Sequence, residues 1–384
     1  MKFSRPRSAP SWRAPANSPN GTSPPMPRAG NERRYPLETI KAACVEGLHT
    51  IELAKKHGGQ GHSFSCKLRA FEEISKHDFA FAFALINHHN AVARFARDGQ
   101  PAHVARLLPR MIAGEVIGCA GLSEPGVGSD FGGLEMSAVR VEGGWKLNGA
   151  KAWITNAAVA GLSVAYAQTD RTQGYRGIAC FAIESDRPGF RRDKPFELHG
   201  GHAIGVGGFR LVDYFAPDEA VLHPPGQAFK AALAGINGAR AYVAAMCCGM
   251  LQAGLETAVR YTRERKTFGQ PVLDHQGVRW KLVDAATDLE AARLLTYRAA
   301  RLIDEGGDAV LPAAHAKKFA TEMALRRIAD CIQAMGANGL RAEYPLARHL
   351  ACAKIAAYTD GSIEMMNERI GAGLSVVFGA QVSG

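Results

Sequence analysis

The chain has 384 residues, 47% of them hydrophobic and 21% charged, with a formal net charge of +10. That balance describes a globular protein with room for two or three domains, and no apolar run reaches the length of a membrane span. The charge is not a body-wide nucleic-acid signature, because residues 1–34 hold seven basic side chains and one acidic one, leaving 39 basic against 35 acidic in the rest.

The first segment, residues 1–36, is rich in Pro, Ser and Arg and lacks hydrophobic periodicity, so it is expected to be a disordered basic tail. An Arg-rich, acid-poor start resembles a transit peptide to the mitochondrial matrix. The seven prolines of residues 1–34, however, would break the amphipathic helix such signals use. A solvated extension or an over-extended start, on a cytoplasmic protein, is the expectation. Eight cysteines without CxxC spacing or paired histidines nearby fit a reducing compartment and argue against a metal site.

From 37 to 118 the spacing is helical, with apolar residues at three and four in FSCKLRAFEEISKHDFAFAFALINHHNAVARFA and breaks at HGGQGHS and RDGQP. From 119 to 221 the period changes to two. SAVRVEGGWKLNG reads as a hairpin turning at Glu142-Gly143-Gly144, followed by the strands GLSVAYAQT, GIACFAIES and GFRLVDYFAP. From 222 to 384 three long helical patterns with short breaks predict an antiparallel bundle. The fold class expected is α+β: helical N-terminal domain, middle β domain, C-terminal four-helix bundle.

Four segments invite chemistry. LSEPGVGSD, from Leu122 to Asp130, offers Gly126 and Gly128 for close backbone approach and Ser123 and Ser129 as hydroxyls; a plain polar loop is an equal reading. In LNGAKAWITNA, Trp153 and Thr155 fall on one face of a strand, suited to stacking on a flat heterocycle, although a strand Trp is more often core. RERKTFGQP gathers Arg263, Arg265 and Lys266 at a helix end, either to complement the helix dipole or to hold a pyrophosphate. QAMGANG is a second Gly-rich break. Near the end, Asp360 in YTDGSIE is either a polar residue at a helix terminus or an acid with work to do.

These segments, in this order and at these intervals, resemble the acyl-CoA dehydrogenase family of flavoproteins over roughly residues 45–375. The resemblance implies FAD in the groove between the β domain and the bundle. Leu122 and Ser123 would meet the pyrimidine side of the flavin, with Gly128 and Ser129 in the same loop. Trp153, Ile154 and Thr155 would lie near N5, and Ser362 beside the cofactor. Arg265, Thr267, Phe268 and Gln276 on one side, and Gln333 and Gly336 on the other, would reach the adenosine pyrophosphate of a neighbouring subunit, which makes the protein a homodimer or homotetramer. Ser129, Asn237 and Arg240 would follow the pantetheine arm of an acyl-CoA. Asp360 would be the catalytic base, with an electron-transfer flavoprotein as the acceptor.

The sequence departs from the family pattern around that base. Glutamate is usual where Asp360 stands, and the missing methylene retracts the carboxylate by roughly 1.5 Å, while a misplacement of about 1 Å can cost on the order of a hundredfold in rate. The position of an alternative glutamate is Ala239, an acid usual near INGAR is Asn237, the aromatic before the base is Thr359, the second Gly of QxxGG is Ala337, and an Arg-Asp pair is Ala351-Cys352. Two other readings remain within the superfamily. One is a nitroalkane-oxidase-like enzyme, which uses aspartate as base. The other is an FAD-containing DNA-binding protein, for which a basic C-terminal extension is missing and only the tail offers charge.

Overall fold

The structure, a computed structural model, describes residues 35–374; the tail expected over 1–36 lies outside the described residues up to 34, while Tyr35 donates to Asn156 Oδ1 at 3.0 Å and Pro36 is buried. The N-terminal helices are α1 (Leu37–Val45), α2 (Phe64–His77), α3 (Phe79–Asp98) and α4 (Pro101–Ile112). Ser63 caps α2 by accepting from the Cys66 N–H, and Asp78 ends α2 while capping α3 through the Phe81 N–H, both at 3.1 Å. These caps satisfy amide groups that the first helical turn leaves without partners.

The middle region is one eight-stranded sheet. Its strands are β1 (Gly118–Gly121), β2 (Ser137–Val141), β3 (Gly144–Ile154), β4 (Leu162–Gln168), β5 (Ile178–Glu184), β6 (Phe190–Arg192), β7 (Gly207–Pro217) and β8 (Val221–His223). The order is β6-β7-β3-β2-β4-β5-β8, with β1 parallel to β4. The expected hairpin is the β2–β3 pair, closing at Val141↔Gly144. Three strands escape the sequence pattern, β1, β6 and β8, because three or four residues are too few to display a period.

The last third holds α5 (Ala228–Glu264), a small hairpin of β9 (Lys266–Thr267) and β10 (Gln270–Pro271), then α6 (Gln276–Asp304), α7 (Val310–Met335), α8 (Leu346–Tyr358) and α9 (Ile363–Gly371). By length and composition alone α5 is apolar enough to cross a membrane, contrary to what the sequence scan expects, but 83% of that window is buried inside the protein. It is the core helix of the bundle. Where α2 crosses it the backbones nearly touch: a Cβ on Gly249 would stand 2.1 Å from the Glu72 carbonyl, and Ser75 Oγ donates to the Met246 carbonyl at 3.0 Å.

The N-terminal helices have no core to themselves. Leu68 and Phe71 of α2 and Phe79 and Phe83 of α3 share one apolar cluster with Val243, Met246 and Leu251 of α5 and Ala320 of α7. The far side of α3, through Val92 and Phe95, packs instead with Val164 and Tyr166 of β4 and Cys180 of β5. A helix with apolar faces on two sides has to be covered on both, and α3 is, wedged between bundle and sheet.

Candidate functional site

A cavity of about 950 Å³ opens where α3, α5 and the sheet meet, and Leu122, Asn237 and Asp360 all line it. Three residues from three sequence-distant segments are thereby brought onto one space. α8 stops at Tyr358, and the chain turns through Asp360 and Gly361 in left-handed backbone, φ +53° and +93°, before Ser362 begins α9. Aspartate tolerates that region better than most residues. Asp360 therefore stands at a helix end and on the cavity wall at once.

The turn that carries Asp360 is held by groups from separate helices. The Tyr242 hydroxyl donates to Asp360 Oδ2 at 3.4 Å and accepts from Asn90 Nδ2 at 3.2 Å. Arg240 Nε donates to the Asp360 carbonyl at 3.4 Å, and its Nη1 donates to Asn237 Oδ1 at 3.0 Å. Lys317 donates to the carbonyls of Gly361 and, at 3.5 Å, Ala357. Burial raises the Asp360 pKa above the ordinary aspartate value, opposed by the Lys317 and Arg240 charges and the Tyr242 hydrogen bond. Burial likewise pushes Lys317 down to about 8, with the Asp360 charge acting against it. Tyr242 is raised by burial and then by the neighbouring Asp360 charge, so it stays a donor. A carboxyl poised above its usual range beside an open cavity has the character of a proton acceptor.

The sheet side is built differently. Glu124, buried inside LSEPGVGSD, accepts from Lys151 Nζ at 2.8 Å and from the N–H groups of Glu135 (2.6 Å) and Met136 (3.1 Å). Lys151 also donates to the Leu122 carbonyl at 3.2 Å, and the Ala152 N–H to the Ser123 carbonyl at 3.1 Å. The loop is thus stapled to the end of β3. Burial lowers Lys151 to about 8, with Glu124 pulling it back up.

Trp153 is exposed and Thr155 half-buried, with Ile154 buried between them, but the regular pleat that the sequence pattern expects does not run through them. β3 ends at Ile154, and a bulge between Lys151↔Phe209 and Ile154↔Gly207 carries Trp153 at φ +62°. A bulge re-aims a side chain in this way. The Trp153 ring is 61% exposed, 4.6 Å from the Phe196 ring. Ile154 offers a ligand only its backbone, since its side chain is core. Gly126 and Gly128 have nothing within 4 Å of where a Cβ would stand. Ser129 is exposed on the same loop and does not line the cavity.

The remaining candidates gather at the other end of the bundle. Arg265 follows α5, Thr267 lies in β9, Phe268 is 98% exposed at the hairpin tip, and Gln276 starts α6. Gln333 and Gly336 close α7, and Asn338 in that break donates to the Tyr261 hydroxyl of α5 at 2.8 Å, so the two sets are neighbours. Sequence reading missed Tyr242, Asn90, Lys317, Glu124 and Lys151. Only Glu124 and Lys151, charges within otherwise apolar or Gly-rich motifs, left a signal. Elsewhere Cys44, His49 and His88 bring ligand atoms within 4.8 Å of one another, yet both ring nitrogens of His88 are committed, to the Gly118 N–H and the Met111 carbonyl.

Family models match three consecutive stretches: the acyl-CoA dehydrogenase N-terminal domain over residues 22–115, the middle domain over 119–213 and the C-terminal domain over 226–375. The short/branched chain specific acyl-CoA dehydrogenase of Rattus norvegicus mitochondria is 34% identical over 84% of this chain and 75% of its own. Butyryl-CoA dehydrogenase from Megasphaera elsdenii superposes with a TM-score of 0.86 at 31% identity, covering 90% of this chain and 92% of that one. PigA with FAD and proline superposes at 0.87 and 26% identity, covering 91% and 92%.

Proposed function

The chain belongs to the acyl-CoA dehydrogenase family, and from that premise we propose that it oxidises an acyl thioester across its α and β carbons with Asp360 as the base. It is a flavin-dependent oxidoreductase and its cofactor is FAD. The residues present fit that group: an exposed Trp153 ring, open space over Gly126 and Gly128, and basic and aromatic side chains around Arg265 and Phe268. Ser123 and the backbone at Leu122, Trp153, Ile154 and Thr155 would hold the flavin end, and Arg265, Thr267, Phe268, Gln276, Gln333 and Gly336 the other end in a homodimer or homotetramer. When bound, FAD supplies the acceptor for the hydride that leaves the β carbon.

The observation that carries this reading is the placement of Asp360. Its carboxylate lies on a cavity that also reaches Leu122, so base and flavin wall face the same space. Asp360 takes the α-proton; Tyr242 orients the carboxylate, and Lys317 and Arg240 keep its charge from being too costly to hold. Burial excludes water and keeps the acid's affinity for a proton above that of a surface aspartate. Electrons would pass on to an electron-transfer flavoprotein. The nitroalkane-oxidase-like and DNA-binding readings are not favoured.

Anaerobic titration of the FAD-loaded protein with a panel of acyl-CoAs and with nitroethane tests the proposal. Bleaching of the flavin by an acyl-CoA is expected. Bleaching by nitroethane alone would overturn the thioester reading.

A further inference from the structure

The cavity wall contributed by α3 is not hydrocarbon. Asn87, Asn90 and Arg94 follow one another at i, i+3 and i+7, and all three line the cavity. They form a polar stripe along a helix whose other faces, through Leu85, Ile86, Val92 and Phe95, are buried and apolar. The stripe begins at the catalytic centre, since Asn90 reaches the Tyr242 hydroxyl that holds Asp360. Arg94 lies a helical turn further on, roughly 6 Å along the axis.

Arg94 is a charge with no opposite charge assigned to it. Its Nη1 donates to the Tyr166 hydroxyl at 2.5 Å, and among the described residues it makes no ion pair. Apart from His57, the other basic groups on this cavity are paired with an acid, as His89 is with Glu52, or exposed. Lys67 pairs with Glu52, Arg97 with Asp98 at 2.7 Å and His223 with Asp98 at 3.0 Å, while Lys56 is exposed. Asn87 donates one N–H to the Phe83 carbonyl at 2.8 Å and has a second to offer. An alkyl chain laid along this stripe would strip water from a guanidinium and two amides and return no hydrogen bond, which is unfavourable. A carboxylate there would return charge-assisted bonds to the guanidinium and to an amide beside it.

From this stripe we infer that the acyl group ends in a carboxylate: the substrate is a short dicarboxylic acid joined as a thioester at one end, its distal carboxylate received by Arg94 beside the amides of Asn87 and Asn90. Arg94 is then the specificity-determining residue, and an acyl group bearing an ammonium is rejected by the same charge. The inference rests on the dehydrogenase reading only for which end of the substrate meets Asp360.

Calorimetric titration of the FAD-loaded protein with glutaryl-CoA and pentanoyl-CoA, of equal chain length, tests it. Glutaryl-CoA should bind at least about tenfold more tightly. The ratio of the two affinities should fall by at least about tenfold in Arg94→Gln and recover in Arg94→Lys, which keeps the charge. Equal or tighter binding of pentanoyl-CoA by the wild type, or an unchanged ratio in Arg94→Gln, overturns the inference. Flavin absorbance of the same anaerobic samples separates the two claims. Tight glutaryl-CoA binding without bleaching supports the carboxylate site and counts against dehydrogenation, whereas bleaching by both thioesters with no preference does the reverse.

Discussion

The sheet side of the site, which meets the cavity at Leu122, comes from two short runs, Leu122 to Ser129 and Lys151 to Thr155, stapled together by a buried ion pair and bonds to backbone carbonyls. The helical side draws Asn90 from α3, Tyr242 from α5 and Asp360 from the turn after α8, with Lys317 of α7 behind them. The first is a local structure that one loop and one strand end can make. The second exists only when four helices have packed. A cofactor surface presents largely backbone and needs fixed shape, so contiguous motifs serve it. A base needs its proton affinity set by burial and by charges brought from elsewhere, which no contiguous stretch supplies.

Asp360→Asn should separate the two walls most sharply. Reduction of the flavin by substrate should fall by about 10²–10⁴-fold, as for loss of a positioned proton acceptor, while FAD occupancy measured by absorbance stays full. Stability should not fall. A carboxyl whose folded-state pKa is raised penalises the fold when ionised, above the ordinary aspartate range, and that penalty disappears as pH drops; an amide never incurs it. A thermal unfolding midpoint at neutral pH well below wild type would mean that the carboxylate is structural, and the contrast would collapse.

The reverse experiment breaks the sheet wall. Glu124→Ala leaves Lys151 buried without its partner, and removal of one member of a buried pair costs about 3–5 kcal/mol. Denaturant unfolding should show that loss, and the variant should lose flavin on dilution. If it keeps its flavin at wild-type levels, the staple does not shape the cofactor surface.

Tyr242→Phe probes the helix wall more gently. With Asp360 as the proposed base, flavin reduction needs its carboxylate, so the rate should fall as pH drops through its raised pKa. Removing the hydroxyl takes away one group that lowers that pKa, and the acidic limb should move further up in pH, by the equivalent of about 1.5–3 kcal/mol for a bond to a charged group at most. A limb that stays in place in a pH–rate profile would show that the 3.4 Å contact carries no energy. The smallest effect belongs to Thr155→Val, where one hydrogen bond near the flavin, worth roughly 0.5–1.5 kcal/mol, should go and shift the flavin spectrum. An unchanged spectrum would place that side chain away from the ring.

Legibility in the sequence followed the same division. Helix, sheet and helix could be read in order because each long segment keeps its own hydrophobic period, and the segments proposed to face FAD stood out because glycine, Trp and hydroxyl residues sit close together in the chain. The short strands β1, β6 and β8 left no period to read, and the bulge that turns Trp153 outward depends on pairing with Phe209 and Gly207, more than fifty residues away. YTDGSIE marked Asp360 as either a helix-end residue or a base. Only packing decides between them, because proton affinity depends on what surrounds the carboxylate: Tyr242, 118 positions earlier in the chain, hydrogen-bonds it, and Lys317 sets its charge balance. Arg94 shows the same dependence. In the sequence it is one more basic residue on an amphipathic-looking stretch, and it becomes a half-buried charge facing the cavity, without an ion pair among the described residues, only because α3 is enclosed on both sides, by the bundle and by the sheet.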